Sequence, residues 1–420
     1  AFRALHDHFA ETYPGLHGAL ERETVSGLSL LYTWEGADPD LPPVVLMGHT
    51  DVVPVTPGTE DAWTHPPFAG TIAGGWVWGR GAMDDKASVV SILEAVERLV
   101  AEGYRPPRTV YLAFGHDEEL GGERGAARIA EHLARGGADE LALVLDEGGA
   151  LTEGMVPGVD APTALIGIAE KGYVSLVLSA HGDQGHSSAP PPSTSVGILA
   201  RAIAHLQDEP FPMRIDGPTR AMFENLAPEM SFLPRAAFAN LWLLEPALTR
   251  VLASRPMGAA FVRTTTAPTM LDAGVKDNVL PPVATGVVNF RILPGETVET
   301  VRERVVRVID DERVGVGIYD AARDPSPVSD TDSPAFRLLD RTLRQVVQGE
   351  GLVVAPYLVF GGTDATHYAD RSSIVYRLLP VRVEAGDLGR VHGTDERISV
   401  EGFGMAVRYF YQLLRNLDRL

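Results

Sequence analysis

The sequence predicts an α/β fold made of two sheet-bearing domains, the smaller inserted into the larger. Three observations predict it. Short β-branched or aliphatic runs alternate with helix-period patterns through roughly the first 150 residues. A fresh set of strand patterns begins near Lys171. Helical patterns then return toward the C terminus. The expected division is residues 1–170 with 293–420 for the larger domain and 171–292 for the insert.

In chain order, 44–47 (Val-Val-Leu-Met) is a buried strand ending at Gly48-His49. Over 85–100, Val89, Ile92, Leu93, Val96, Leu99 and Val100 recur at helical spacing, and Gly103 stops the helix. Residues 109–114 form a second strand closed by Gly115, 123–135 a helix, and 141–145 a third strand ending in Asp146. His49, the Glu118/Glu119 pair and Asp146 therefore all lie just beyond the C-terminal ends of strands. That edge is where open α/β sheets place ligands.

In the insert, 173–180 is a strand with Val174, Leu176 and Leu178 on one face, and 195–206 is a helix after the Pro190-Pro191-Pro192 break. The apolar stretch 232–252 reads first as core or a subunit interface and second as a groove for an acyl chain. Residues 286–293 are a further strand. Helices follow over 335–347 and 400–417, the latter with Ser399 as N-cap.

The chain has 420 residues, with 36 Lys+Arg against 56 Asp+Glu and a formal charge of −20. It lacks the basic footprint of a nucleic-acid or anionic-membrane binder. No apolar run approaches the ~18 residues of a membrane helix, so neither nucleic acid nor membrane is expected as a partner. The absence of cysteine excludes disulfides, thiolate metal sites and thiol nucleophiles. The expectation is a soluble protein, cytoplasmic or exported. Ala1 in place of Met fits removal of an upstream piece and leaves the compartment open.

The strongest chemical signal is a set of metal-ligating residue types at element ends: His49, Asp84, Glu119, Asp146 and His392. Their spacings alone match no short-range metal motif, and most of the 12 histidines must be ordinary; His6, His8 and His17 read as surface. Local context carries the argument. Asp51, two residues beyond His49, is placed to hold its other ring nitrogen. Asp84 and Asp85 open a helix. The side chains of adjacent Glu118 and Glu119 diverge, so one can bind a metal while the other stands beside a metal-bound water. Two divalent ions against three carboxylates and one hydroxide give a neutral core, whereas the carboxylates alone would repel. With only N and O ligands, zinc is the first choice, with manganese or cobalt compatible.

At this point the sequence resembles the aminoacylase/glutamate-carboxypeptidase family of di-zinc metallopeptidases, in particular the branch of carboxypeptidase S and the N-fatty-acyl-amino-acid hydrolases. The matching blocks run from residue 46 to 54 (Leu-Met-Gly-His-Thr-Asp-Val-Val-Pro), from Gly79 to Lys86, and from Gly115 to Glu119. Gly185-His186-Ser187-Ser188, Asn278-Val279-Leu280-Pro281, Val288-Asn289-Phe290-Arg291 and His392-Gly393 complete them in the family's order. The resemblance implies a mixed-sheet di-zinc exopeptidase-like catalytic domain with an inserted α+β lid or dimerisation domain. It implies that His49 and Asp146 bind one ion, Glu119 and His392 the other, and that Asp84 bridges them, with a cis peptide to Asp85. Glu118 would be general base and proton shuttle, and Asp51 the orienter of His49. His186 would stabilise the oxyanion, in some dimeric relatives from the partner subunit. Arg291 and Asn278 would hold the substrate's carboxylate, with Gly362 and Thr363 lining that pocket.

The expected activity is hydrolysis of an amide bond adjacent to a free carboxylate, by metal-bound hydroxide activated by Glu118. Substrates would be small peptides or N-acyl amino acids, and a homodimer through the insert is expected. The alternative is a catalytically silent scaffold with structural metals; loss of the base would mark it, and Glu118 is present. Gly185 to Ala189 is no nucleophile elbow, because the following prolines forbid the helix it needs.

Overall fold

A computed structural model describes the whole chain except residues 139, 157, 348–350, 385 and 388. The chain divides into two units, Ala1–Ala169 with Ala221–Ala236 and Val328–Leu420, and Glu170–Arg220 with Ala237–Pro327.

The first unit is organised by a mixed sheet. In spatial order its strands are Glu21–Val25, Ser29–Trp34, Val110–Gly115, Val44–His49, Leu143–Asp146, Val375–Arg377, Thr163–Glu170, Ala150–Thr152 and Arg382–Val383; Val353–Val359 also pairs Thr163–Glu170. Three central neighbours, Val110–Gly115, Val44–His49 and Leu143–Asp146, are parallel, with Leu46 opposite both Leu112 and Leu145. Parallel register brings Gly115, His49 and Asp146 to one edge. Their residues are buried on both faces, which is why they read as continuous aliphatic runs.

The helix Lys86–Ala101 lays Val89, Ile92, Leu93, Val96 and Leu99 into the core beside Tyr409, Phe410 and Leu413 of Val400–Arg415. Each such fully buried side chain contributes roughly 1.5–3 kcal/mol. Ser399 caps the last helix, accepting from Gly402 N at 2.9 Å. His6, expected at the surface, is buried, and His17 Nε2 lies 3.1 Å from Tyr32 Oη.

The second unit is a four-stranded antiparallel sheet in the order Thr265–Ala273, Val283–Ile292, Gly172–His181, Val314–Arg323. Helices Ser195–Asp208 and Val298–Ile309 share a core with it, where Ile198, Leu199, Val301 and Val305 meet Val174, Leu176, Leu178 and Phe290. This corrects the boundary expected at 292. Helix Val298–Ile309 and strand Val314–Arg323 belong here, because the latter pairs Gly172–His181 along its length. The core reading of 232–252 is also corrected: Phe232–Ala239 buries no side chain, and in Leu241–Ala253 only Leu241 and Thr249 are buried while Trp242 is 82% exposed.

Candidate metal centre

His49 ends its strand with the imidazole almost fully buried. Its Nε2 lies 2.9 Å from Asp84 Oδ1, 3.4 Å from Glu147 Oε1 and 3.9 Å from Glu118 Oε2. On its other side, Nδ1 is 3.2 Å from Asp51 Oδ1. Asp51 also accepts from the backbone N–H groups of Glu118 and Glu119, at 3.2 and 3.1 Å. One carboxylate thus ties the imidazole to the glutamate pair.

Asp84 sits just before helix Lys86–Ala101, and its peptide bond to Asp85 is cis. Its second oxygen, Oδ2, lies 2.9 Å from His392 Nε2, which is also 3.3 Å from Glu119 Oε2. The two oxygens of Asp84 therefore face two different imidazoles. Among the described residues, His49, Asp84 and Glu147 form one group with ligand atoms within 4.8 Å of one another, and Asp84, Glu119 and His392 form another. The ligand atoms of His49, Glu118 and Glu119 likewise lie within 4.8 Å of one another.

The electrostatics of the protein alone are strained. Burial, then the Glu147 charge, push the Glu118 carboxyl up to about 10. Burial and Asp84 push Glu147 up to about 7 and raise Glu119. Burial opposes ionisation of Asp84, but its bonds to His392 and His49 hold it well below the usual carboxylate range. His392 is raised by its bond to Asp84, and His49 is raised by Asp51, Asp84 and Glu147 despite burial. Several buried carboxyls raised beside raised imidazoles, around one carboxylate held low, mark a crowded anionic donor set whose charge suits cations. The donors are all N and O, their charges favour cations, and one carboxylate is shared, so the residues fit two divalent ions.

The profile of Peptidase family M20/M25/M40 matches residues 45–416. The chain belongs to this family. It is 40% identical over 419 residues to a probable carboxypeptidase S-like protein of Dictyostelium discoideum, covering 100% of this chain and 80% of the relative. It is 41% identical over 422 residues to an N-fatty-acyl-amino acid synthase/hydrolase of Xenopus tropicalis, covering 100% and 81%. The fold is similar to that of an M20 family metallo-carboxypeptidase from Sulfolobus solfataricus, with a TM-score of 0.70 at 18% identity, over 100% of this chain and 95% of that one. This M20 chain is accordingly a metallopeptidase-family enzyme with a mixed α/β catalytic fold.

Of the sequence-derived ligands, His49, Asp84, Glu119 and His392 come together as stated, with Glu118 and Asp51 beside them. Asp146 does not join them. It lies on the Val144 face of its strand, which packs with Ala365 and Tyr368, and its Oδ2 accepts from Ala365 N at 2.7 Å. The carboxylate facing His49 and Asp84 is Glu147, one residue later and outside the strand. A shift of one residue at a strand end moves a side chain to the other face.

Thr363 is buried, with Cγ2 beside Gly148, and Gly362 precedes it; both follow strand Val353–Val359. In the second unit, His186 and Asn278 are neighbours: His186 pairs Val279 in a two-stranded ribbon, and Ser187 N donates to the Asn278 carbonyl at 3.2 Å. His186 is exposed, with Nδ1 accepting from Ser188 N at 3.1 Å. Arg291 lies on Val283–Ile292, opposite Tyr173, with its guanidinium 4.9 Å from that ring centroid.

Two features had escaped sequence reasoning besides Glu147. Asp364 is buried and its carboxyl raised by burial and Asp146; no Cβ fits at Gly115 or Gly122, because this carboxylate fills the space. Arg80 and Glu396 form a buried ion pair at 2.6 Å. Arg80 lies in the block that also holds Asp84, and Asp364 directly follows Thr363, but nothing in the sequence marked Glu396.

Proposed function

We propose that this M20 chain is a two-cation hydrolase of an amide bond next to a free carboxylate, acting as a carboxypeptidase on small peptides or as an N-acyl-amino-acid amidohydrolase. The observation that carries the reading is Asp84, whose two oxygens each lie 2.9 Å from a different imidazole. Similarity to a probable carboxypeptidase S-like protein and to an N-fatty-acyl-amino acid synthase/hydrolase supports the choice of bond.

His49 and Glu147 would hold one ion, Glu119 and His392 the other, and Asp84 both, with zinc favoured by the N and O donors and manganese or cobalt compatible. When bound, the ions supply positive charge that polarises a carbonyl and acidifies water. Glu118, raised by burial and the Glu147 charge in the protein alone, would stand charged beside the two ions and so serve as the base. Glu118 then takes the proton of the attacking water and returns it to the leaving nitrogen. Asp51 fixes the imidazole of His49 and the backbone of the glutamate pair together. From the second unit, His186 would donate to the developing oxyanion, while Arg291 and Asn278 bind the substrate carboxylate, Arg being suited to bidentate recognition. Gly362 and Thr363 would line the substrate pocket of the first unit. We further propose a homodimer through the second unit.

Glu118→Gln should lower kcat by at least ~10²-fold while substrate still binds. Near-native kcat would sink the mechanism. A panel of dipeptides and of N-acyl amino acids with lengthening chains separates the two branches.

A further inference from the structure

The segments that carry Asp84 and His392 are far apart in sequence, yet the structure ties them at several points. Strand Trp76–Trp78 pairs antiparallel with Arg397–Ser399, Arg397 opposite Trp78, and the guanidinium of Arg397 lies 4.3 and 4.5 Å from the ring centroids of Trp76 and Trp78. This pairing sets residues 79–84 alongside 392–396. Between them lies the Arg80–Glu396 pair, both side chains almost wholly buried.

The pair's hydrogen bonds go to the backbone of the ligand-bearing segments. Glu396 Oε1 accepts from Met83 N at 2.9 Å and from Asp84 N at 3.1 Å, while its Oε2 accepts from Arg80 Nη1 at 2.6 Å. Arg80 Nη2 donates to the His392 carbonyl at 3.2 Å and the Gly393 carbonyl at 2.9 Å. His392 has φ of 60°, a left-handed conformation that non-glycine residues adopt sparingly. The guanidinium grips the carbonyl of that residue and of the next.

We propose that Arg80 and Glu396 are a positioning pair that sets the cation affinity of the Asp84–Glu119–His392 group. This rests on the two-cation reading above. Two of that group's three ligands hang directly on the pair, but only Asp84 of the His49–Asp84–Glu147 group does. Breaking the pair therefore weakens one ion far more than the other. Partners behind the ligands of a metal site are worth about 10–100-fold in affinity.

The test titrates Zn²⁺ into the metal-free full chain in competition with a chromophoric chelator, and records the visible spectrum of the Co²⁺ form. Wild type, Glu396→Ala, Glu396→Gln, Arg80→Lys and His392→Ala are compared. Wild type should take two ions. Glu396→Ala should lose about 10–100-fold at one site and less than about tenfold at the other. The weakened site should be the one that His392→Ala abolishes, with the same Co²⁺ band altered. Glu396→Gln, whose amide oxygen still accepts from Met83 and Asp84, should lose less, and Arg80→Lys should weaken the same site. Should Glu396→Ala fail to fold, the Gln and Lys variants decide by the same criterion. Unchanged affinities, or equal losses at both sites, overturn the positioning role. A wild-type chain that takes no divalent ion overturns the two-cation reading itself.

Discussion

The replacement of Asp146 by Glu147 in the ligand set makes a sharp prediction, because two adjacent carboxylates are assigned different work. Glu147 Oε1 lies 3.4 Å from His49 Nε2, in one group with Asp84. Glu147→Gln replaces one of the three charged or imidazole donors to that ion with a neutral amide oxygen, a far poorer ligand for a divalent cation. Since even an outer partner is worth about 10–100-fold, losing a ligand should cost at least ~100-fold in affinity, about 2.8 kcal/mol. Asp146 instead accepts from Ala365 N at 2.7 Å. Asp146→Asn keeps an oxygen there and loses only the charge. Its cost should fall on folding, roughly 1–3 kcal/mol, with both ions retained. Dialysis against a competing chelator followed by elemental analysis, with thermal unfolding in parallel, separates the two. If Asp146→Asn lost an ion and Glu147→Gln kept both, the assignment would be wrong.

Further outcomes follow from single side chains. Ser399→Ala should destabilise the chain by about 1 kcal/mol, read as a lower Tm, because the cap bond to Gly402 N is lost. Lys171 is held down to about 7 by burial, then by Arg291, Arg214 and Arg263 against the pull of Glu296. Its unfolded form binds more protons between about pH 7 and 10.5, so its contribution to stability grows as pH rises through that window, by at most ~1.4 kcal/mol per pH unit. The Tm gap between wild type and Lys171→Met should therefore shift in favour of wild type from pH 7 to 9; a constant gap would contradict the shifted Lys171.

The strands that end at the centre were legible because both faces are buried, so 44–47 and 141–145 show unbroken aliphatic runs. The helices over 86–101 and 400–415 were legible from their apolar stripe and, for the second, from its serine cap. Glu147 was not, since a run that ends in Asp-Glu does not say which of the two carboxylates faces His49 and Asp84. The true extent of the second unit was hidden because Val314–Arg323 joins it through pairing with Gly172–His181, well over a hundred residues earlier. Apolar content misled at 241–253, where a hydrophobic helix leaves Trp242 and Leu243 exposed. Arg80 and Glu396 have partners that no local pattern announces, since they meet across |i−j| = 316.

The central claim is that two divalent ions share Asp84. Metal content of the purified chain, measured beside Asp84→Asn after mild chelation, tests it most directly. The account predicts about two equivalents per chain in wild type and weakened retention of both ions in the variant. Fewer than one equivalent in wild type after incubation with Zn²⁺, or two equivalents retained by Asp84→Asn with wild-type affinity, would contradict it.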